Sequence, residues 1–308
     1  MFQLPETFRR NVHEAWEEEE EKWIKELPAI IEECKEQWEL TLEPHAYDLS
    51  YNFIAPVRTK DNQKAILKIG FPKEKEVLTE IESLRYFPGK YSVRILEHNV
   101  KLRAFIVERL TPGTSLRETH LKNDPEATQI ALPLLRGIPV NVPKNHKFPS
   151  LADWAKVFER VRNMNVKGTI THSILDQAQR TFEKLDATKK EEKLLHGDLH
   201  HDNILCDEKR GWIAIDPKGV IGDPSFNGSR FIINNWSDRP TDELLQLRVT
   251  MIAKALGYDE ARIAGWAYVD YIISNCWTLE GTGMSKIDLS FAQALESLMN
   301  TGSSSGNV

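Results

Sequence analysis

Cysteine is scarce in this chain, with Cys34, Cys206 and Cys276 the only three in 308 residues. They are too few and too scattered for a disulfide framework or a zinc knuckle, and they read as reduced, structural thiols. No apolar run approaches the length needed to cross a bilayer, and the opening MFQLPETFRR lacks a signal-peptide apolar core. These absences point to a cytoplasmic protein with no membrane partner. Basic charge is also in short supply, since 40 Lys and Arg stand against 46 Asp and Glu for a net charge of −6. That balance argues against a broad nucleic-acid-binding face and is compatible with a cationic ligand. No internal repeat is present, and oligomeric state is not legible.

What is there is enough for a folded protein. The 41% apolar content supplies a core, and the length suits two lobes. Residues 8–40 carry apolar positions at helical spacing, with Pro28 expected to divide or kink the stretch. The acidic run Glu17–Glu21 reads as a solvated helix face. Leu49–Val57 and Gln63–Ile69 read as a hairpin, Lys73–Phe87 as a helix, and Val93–Asn99 and Arg103–Leu110 as two further strands. Thr111-Pro112-Gly113 is a turn signal and marks the expected boundary. Beyond it the pattern is mainly helical, over Ala127–Leu135, Leu151–Met164, Ile174–Leu185, Asp242–Leu256, Glu260–Leu279 and Asp288–Met299. The main break is Leu194–Pro224, where short apolar strands, Ile204–Cys206 and Trp212–Ile215, alternate with polar loops. The expected organisation is a small β-rich N-lobe over 1–110, a helical C-lobe over 111–300 and a flexible tail over 301–308. This is an α+β class.

The chemistry concentrates in three places. Leu195-His196-Gly197-Asp198-Leu199-His200-His201-Asp202-Asn203-Ile204-Leu205 has the spacing of a kinase catalytic loop, H-x-D-L-x-x-x-N followed by apolar residues. An aspartate there orients the attacking hydroxyl, and an asparagine further along holds a metal ion on the phosphates. Apolar residues on both sides anchor the loop and keep the two groups in fixed relation. Downstream, Trp212-Ile213-Ala214-Ile215-Asp216 is an apolar strand ending in a carboxylate, where a kinase places its second magnesium ligand. Upstream, Ala65-Ile66-Leu67-Lys68-Ile69 sets a lysine in an apolar strand. A lysine so placed needs an anion. Glu76, Glu80 and Glu82 follow on the next helix, and Glu80, one turn before Leu84, is the expected partner.

These residues resemble the aminoglycoside phosphotransferase branch of the kinase-like superfamily, where H-G-D replaces H-R-D. More narrowly, LLHGDLHHDNIL followed by WIAIDPKGVIGDPSFN resembles the aminoglycoside 6-phosphotransferase (streptomycin 6-kinase) and hydroxyurea phosphotransferase family. The resemblance runs from about Leu49 past Asp223 and is sharpest over 194–227. It implies a protein-kinase-like bilobal fold, ATP and Mg2+ as cofactors, and transfer of phosphate to a small-molecule hydroxyl, the aminoglycoside acceptor being cationic. Asp198 becomes the catalytic base, and Asn203 and Asp216 the magnesium ligands. Lys68 clamps the α- and β-phosphates with Glu80 as its partner. Main-chain groups at Glu108, Arg109 and Leu110 receive the adenine. Lys218 either approaches the phosphates or pairs with a surface acid, and Asp223 ties its loop together. The nucleotide-covering turn near Ser50-Tyr51-Asn52-Phe53 carries no glycine, so Ser50 and Asn52 are expected to contribute side-chain contacts.

Two rival readings fit less well. A metal-dependent hydrolase would use the dense set His196, Asp198, His200, His201 and Asp202, yet the other histidines lack paired spacing and Lys68 and Asp216 would have no role. A non-catalytic pseudokinase commonly lacks the lysine, the base or a metal ligand, and all are present here. For a cationic acceptor the candidate carboxylates are Asp202, Asp153, Asp270 and Glu280. Trp154, Trp236, Trp266 and Trp277 are candidates for pocket walls or for core.

Overall fold

The computed structural model describes residues 20–44, 52–72, 75–120, 123–164, 170–234, 240–284 and 287–301. Helix α1 (Glu20–Trp38) opens the described chain, and the expected helix over 8–19 lies outside it. Pro28 sits inside α1 without dividing it. Trp23, Leu27, Ile31 and Cys34 recur at helical spacing and are all buried, so one apolar stripe holds both sides of the proline against the sheet.

That sheet is antiparallel, in the order β1-β2-β3-β5-β4. Its strands are β1 (Thr41–Leu42), β2 (Phe53–Arg58), β3 (Lys64–Ile69), β4 (Ile95–Asn99) and β5 (Ala104–Glu108). Helix α2 (Glu76–Tyr86) falls between β3 and β4. Strand alternation sends Phe53, Ala55, Val57, Ala65, Leu67 and Ile69 into the cluster with α1. The chain divides into two compact units, the first running to Arg85 and resuming over Val93–Gly113. Strand β6 (Pro112–Ser115), expected as a turn, carries the chain onward.

The second unit takes Tyr86–Ser92 and everything from Thr114. Its early helices are α3 (Leu116–His120) and α4 (Asp124–Gly137). After β7 (Val140–Asn141), the helix expected over 151–164 is two, α5 (Leu151–Ala155) and α6 (Val157–Arg162), with Lys156 between them. Helix α7 (His172–Ala187) follows. Then come β8 (Lys193–Leu195), β9 (Ile204–Asp207), β10 (Gly211–Ala214) and β11 (Val220–Gly222). Helices α8 (Ser229–Ile233), α9 (Asp242–Leu256), α10 (Glu260–Thr282) and α11 (Leu289–Thr301) complete it. Helix α10 is the spine of this unit, buried at Ile263, Trp266, Val269, Ile272, Ile273 and Cys276 among others. The expected tail beyond Thr301 lies outside the described residues. Among the described residues no helix is long and apolar enough to cross a membrane.

Candidate active site

In the first unit the candidate residues stand on and around β3. Because Ala65, Leu67 and Ile69 face the α1 core, Lys68 turns to the opposite face. Its Nζ lies 2.8 Å from Glu80 Oε2 and donates to Oε1 at 3.0 Å. Both side chains are buried, so the pair replaces hydration that each charge has lost. Glu82, by contrast, pairs with Arg85 at the surface. Gly70 lets α2 come close, since a Cβ there would lie 2.1 Å from Val77 Cγ2.

The residues expected to meet the nucleotide are partly committed. Glu108 N donates to Arg94 O at 3.1 Å, and Arg109 N donates to Lys64 O at 3.3 Å. The Glu108 carboxylate accepts from Arg94 N, and the Arg109 guanidinium pairs with Glu43 at 2.6 Å. Leu110 is buried between the strands β5 and β6. Asn52 has a buried Oδ1 with no hydrogen-bond partner among the described residues, and Ser50 lies outside them.

In the second unit two small sheets grip one loop. Strand β8 delivers the chain to His196 and pairs with β11, Val220 opposite Leu195. Strands β9 and β10 form a hairpin with Ala214 opposite Ile204. Asn203 immediately precedes β9 and Ile215-Asp216 immediately follows β10, and Ile215 N donates to Asn203 O at 2.9 Å. Pairing therefore sets Asn203 beside the strand end that bears Asp216. Asp216 itself has φ of 55°, in the left-handed region that aspartate tolerates better than most residues.

Asp198 is secured through its backbone. Its N–H donates to His196 Nδ1 at 3.2 Å, and its carbonyl accepts from Asn203 Nδ2 at 2.9 Å. His196 Nε2 donates to Ile215 O at 2.9 Å, and Gly219 N donates to His196 O. Burial pulls the His196 ring down to about 4, which keeps it neutral and able to do both jobs. Gly197 turns the chain with φ of +80°, and a Cβ there would stand 2.9 Å from Trp154 Cη2. Trp154 in turn packs edge-on against Trp277, 5.1 Å between ring centroids.

Charge surrounds the Asp198 carboxylate. Arg230 Nε is 3.3 Å from its Oδ1 and His200 Nε2 is 4.0 Å away. Burial alone would raise its pKa, but Arg230, then Lys218 and the histidines outweigh burial and hold it below the usual carboxylate range. Asp198 is thus an ionised carboxylate able to orient a hydroxyl and receive its proton.

The four acceptor candidates have separate surroundings. Asp202 joins the loop, 3.3 Å from Arg117 and 3.6 Å from His200 Nδ1. Asp270 is fully buried in α10 and accepts from Arg230 at 2.8 Å. Asp153 caps α5 with Ser150 and pairs with Lys156 at 2.7 Å. Glu280 accepts a two-pronged contact from Arg160 at 2.6 and 2.9 Å. The structure gathers the first two toward Asp198 and commits the other two to surface partners. Trp266 is core, and Trp236 lies outside the described residues.

The histidine cluster does not form a metal-ligand set. His196 is spent on the loop, and buried His201 stacks on Phe231 at 4.0 Å. Among the described residues no group of three or more His, Cys, Asp or Glu is arranged to hold a metal. Asp223 ties its own turn, bonding Ser225 N and Trp266 Nε1 and pairing with Arg262. Arg230 was not anticipated from sequence. The signal was available, for it is a lone charge in the apolar run Phe231-Ile232-Ile233 and its surroundings, as Asp270 is in α10.

Several known proteins are similar to this chain. A family model described as aminoglycoside/hydroxyurea antibiotic resistance kinase matches residues 37–281. The streptomycin 6-kinase of Streptomyces glaucescens is 30% identical over 310 residues, covering 96% of this chain and 97% of the relative. A hydroxyurea phosphotransferase of Kitasatospora aureofaciens is 27% identical, over 84% of this chain and 75% of the relative. Among solved structures, the choline kinase LicA of Streptococcus pneumoniae superposes with a TM-score of 0.61 at 15% identity, covering 90% of this chain and 99% of that one.

Proposed function

The chain belongs to the aminoglycoside/hydroxyurea antibiotic resistance kinase family, and on that premise we propose that it moves the γ-phosphate of ATP to a streptomycin hydroxyl. The observation that carries the proposal is the hairpin that brings Asn203 and Asp216 together while Asn203 ties down Asp198. In this reading the protein is a cytoplasmic resistance enzyme, its first unit handling the nucleotide and its second the acceptor.

The donors suit magnesium. Asn203 spends its amide nitrogen on the Asp198 carbonyl, which leaves the amide oxygen for a cation. That oxygen and the Asp216 carboxylate are hard donors, few enough to leave positions for phosphate and water. When bound, ATP would supply the transferable phosphoryl group and the metal, held by Asn203 and Asp216, would neutralise charge on it. Asp198 orients the acceptor hydroxyl and takes its proton. Lys68, held by Glu80, neutralises phosphate charge from the strand. Glu108 and Arg109 have their N–H groups engaged in the sheet, so adenine recognition falls to the main chain at Leu110. Asn52, with its unsatisfied amide oxygen, contributes a polar contact near the start of β2. On the acceptor side Asp202 meets a cationic group, and Trp154 and Trp277 form an apolar wall beside Gly197.

The test is mass-spectrometric detection of singly phosphorylated streptomycin with ATP and Mg2+, run at increasing salt. The expected result is one phosphate per molecule, with an apparent KM that rises as ions screen the pocket. Turnover of another aminoglycoside, hydroxyurea or a small amino alcohol in its place would reassign the acceptor. No transfer to any of them would overturn the proposal.

A further inference from the structure

Arg230 is set in an apolar stretch of α8, with Phe231 and Ile232 fully buried beside it and its own side chain only 10% exposed. A guanidinium in such surroundings must be paired, and α10 supplies the partners. Arg230 donates to Asp270 Oδ1 at 2.8 Å and to Ser274 Oγ, and its guanidinium carbon lies 6.0 Å from the centre of the Trp277 ring. The arrangement is nevertheless incomplete in a particular way. Arg230 Nε is buried with no hydrogen-bond partner, although Asp198 Oδ1 is only 3.3 Å away and out of line. Asp270 Oδ2 is buried and unpartnered as well. A pair serving stability alone gains little from such a design, because apolar residues of similar volume often do as well or better than a buried ion pair. Unmet buried donors cost stability and point to a use elsewhere.

We infer that Arg230, held in place by Asp270 and Ser274, is a positioning residue that fixes the Asp198 carboxylate to take the proton of the acceptor hydroxyl as that hydroxyl attacks the γ-phosphorus and ADP leaves. The inference rests on reading Asp198 as the base. A small rotation of Asp198 gives Arg230 Nε its missing bond through Oδ1 and leaves Oδ2 turned to the hydroxyl. Arg230 moves no proton in this scheme; the hydroxyl proton goes to Asp198. Asp270 keeps the guanidinium from swinging toward the acceptor, where a second cation would repel a cationic substrate. The dyad thereby acts on turnover and hardly on the nucleotide.

The test uses the full chain with ATP, Mg2+ and its confirmed acceptor. In Arg230→Ala, kcat should fall about tenfold to a hundredfold, part of a base contribution of about 10²–10⁴, with acceptor KM moving less. Added methylguanidinium should restore part of the loss. The double variant Arg230→Met/Asp270→Leu removes both buried charges and guards against misfolding. It should unfold at the wild-type temperature or above and bind ATP normally by calorimetry, yet keep the low kcat. A double variant with native kcat would overturn the inference. So would a kcat loss in Arg230→Ala that methylguanidinium leaves untouched while ATP binding falls in parallel. If the wild type transferred phosphate to none of the acceptors, the reading of Asp198 would fall, and this inference with it.

Discussion

Lys68 and Asp198 are each a charged side chain set in place by its neighbours, but the two units hold them by different means. Lys68 stands on a regular strand whose register is fixed on both sides, opposite Ile54 and Phe105. There the backbone ladder sets the position, and an ion pair with Glu80 aims the side chain. Asp198 stands on a loop with no ladder of its own, and its backbone is pinned by the side chains of His196 and Asn203. The carboxylate is then left to respond to Arg230, His200 and Lys218. A group on a strand can lose its partner and keep its position, whereas a group on a loop depends on every member of its network.

The sharpest break between the two regions is kinetic. Replacing Asp198 by Asn should lower turnover by about a hundredfold or more while ATP affinity stays native. Lys68→Ala should instead raise the ATP requirement by about tenfold or more, in line with losing a charge-assisted contact. It also leaves Glu80 buried without its cation, so its unfolding temperature should drop. Steady-state kinetics with calorimetric ATP binding separates the two outcomes. Near-native turnover in Asp198→Asn would falsify the base assignment.

A finer comparison lies inside the second unit. Asp216→Ala removes a full charge and should all but abolish magnesium-dependent turnover. Asn203→Ala removes the proposed neutral ligand, so the magnesium requirement should rise less, about tenfold. Because Asn203 also holds the Asp198 carbonyl, its loss should lower kcat even at saturating magnesium. Titrating turnover against magnesium for both variants checks this. A magnesium dependence untouched by Asp216→Ala would mean that another carboxylate holds the metal.

How much of this was legible in the sequence follows the same division. The strand over 64–69 and the helix after it follow from alternation and helical spacing, which local sequence encodes. Asp198 and Asn203 in the loop motif, and Asp216 at the end of the strand that follows, are legible because their spacing is local too. Strands β8 and β11 are not marked by local pattern, since three residues carry no periodicity and form only by pairing across the chain. Leu151–Met164 reads as one apolar helix, yet the chain restarts at Lys156. Arg230 and Asp270 are 40 residues apart, and only packing of α8 against α10 brings them together. A lone basic and a lone acidic residue in two apolar runs are a hint of pairing, and nothing in local pattern says which acid meets which base.

The smallest expected effect concerns stability, and it tests whether the second unit's network is poised by burial. His196 is pulled down to about 4 and His201 to about 3, both by desolvation. Below pH 6.5 the unfolded chain protonates these rings while the native chain does not, so the stability they lend is present above 6.5 and drains away as pH falls toward 4. Asp270 works in the opposite direction. Burial pushes its carboxyl up to about 6, against the pull of Arg230, so the native chain takes up a proton between about 6 and 3.8 that the unfolded chain does not. Its contribution is complete at low pH and is lost as pH rises through 6, so it offsets part of the histidine loss in the same window. Asp270→Asn removes that offset and leaves the histidines unopposed. Urea unfolding from pH 7.5 to 4.5 should therefore show a steeper acid loss in the variant, by up to about one proton or ~1.4 kcal/mol per pH unit. Groups common to both proteins cancel in the difference. Parallel curves would mean that Asp270 stays ionised throughout, with Arg230 outweighing burial, and that the carboxylate holding Arg230 carries full charge at every working pH.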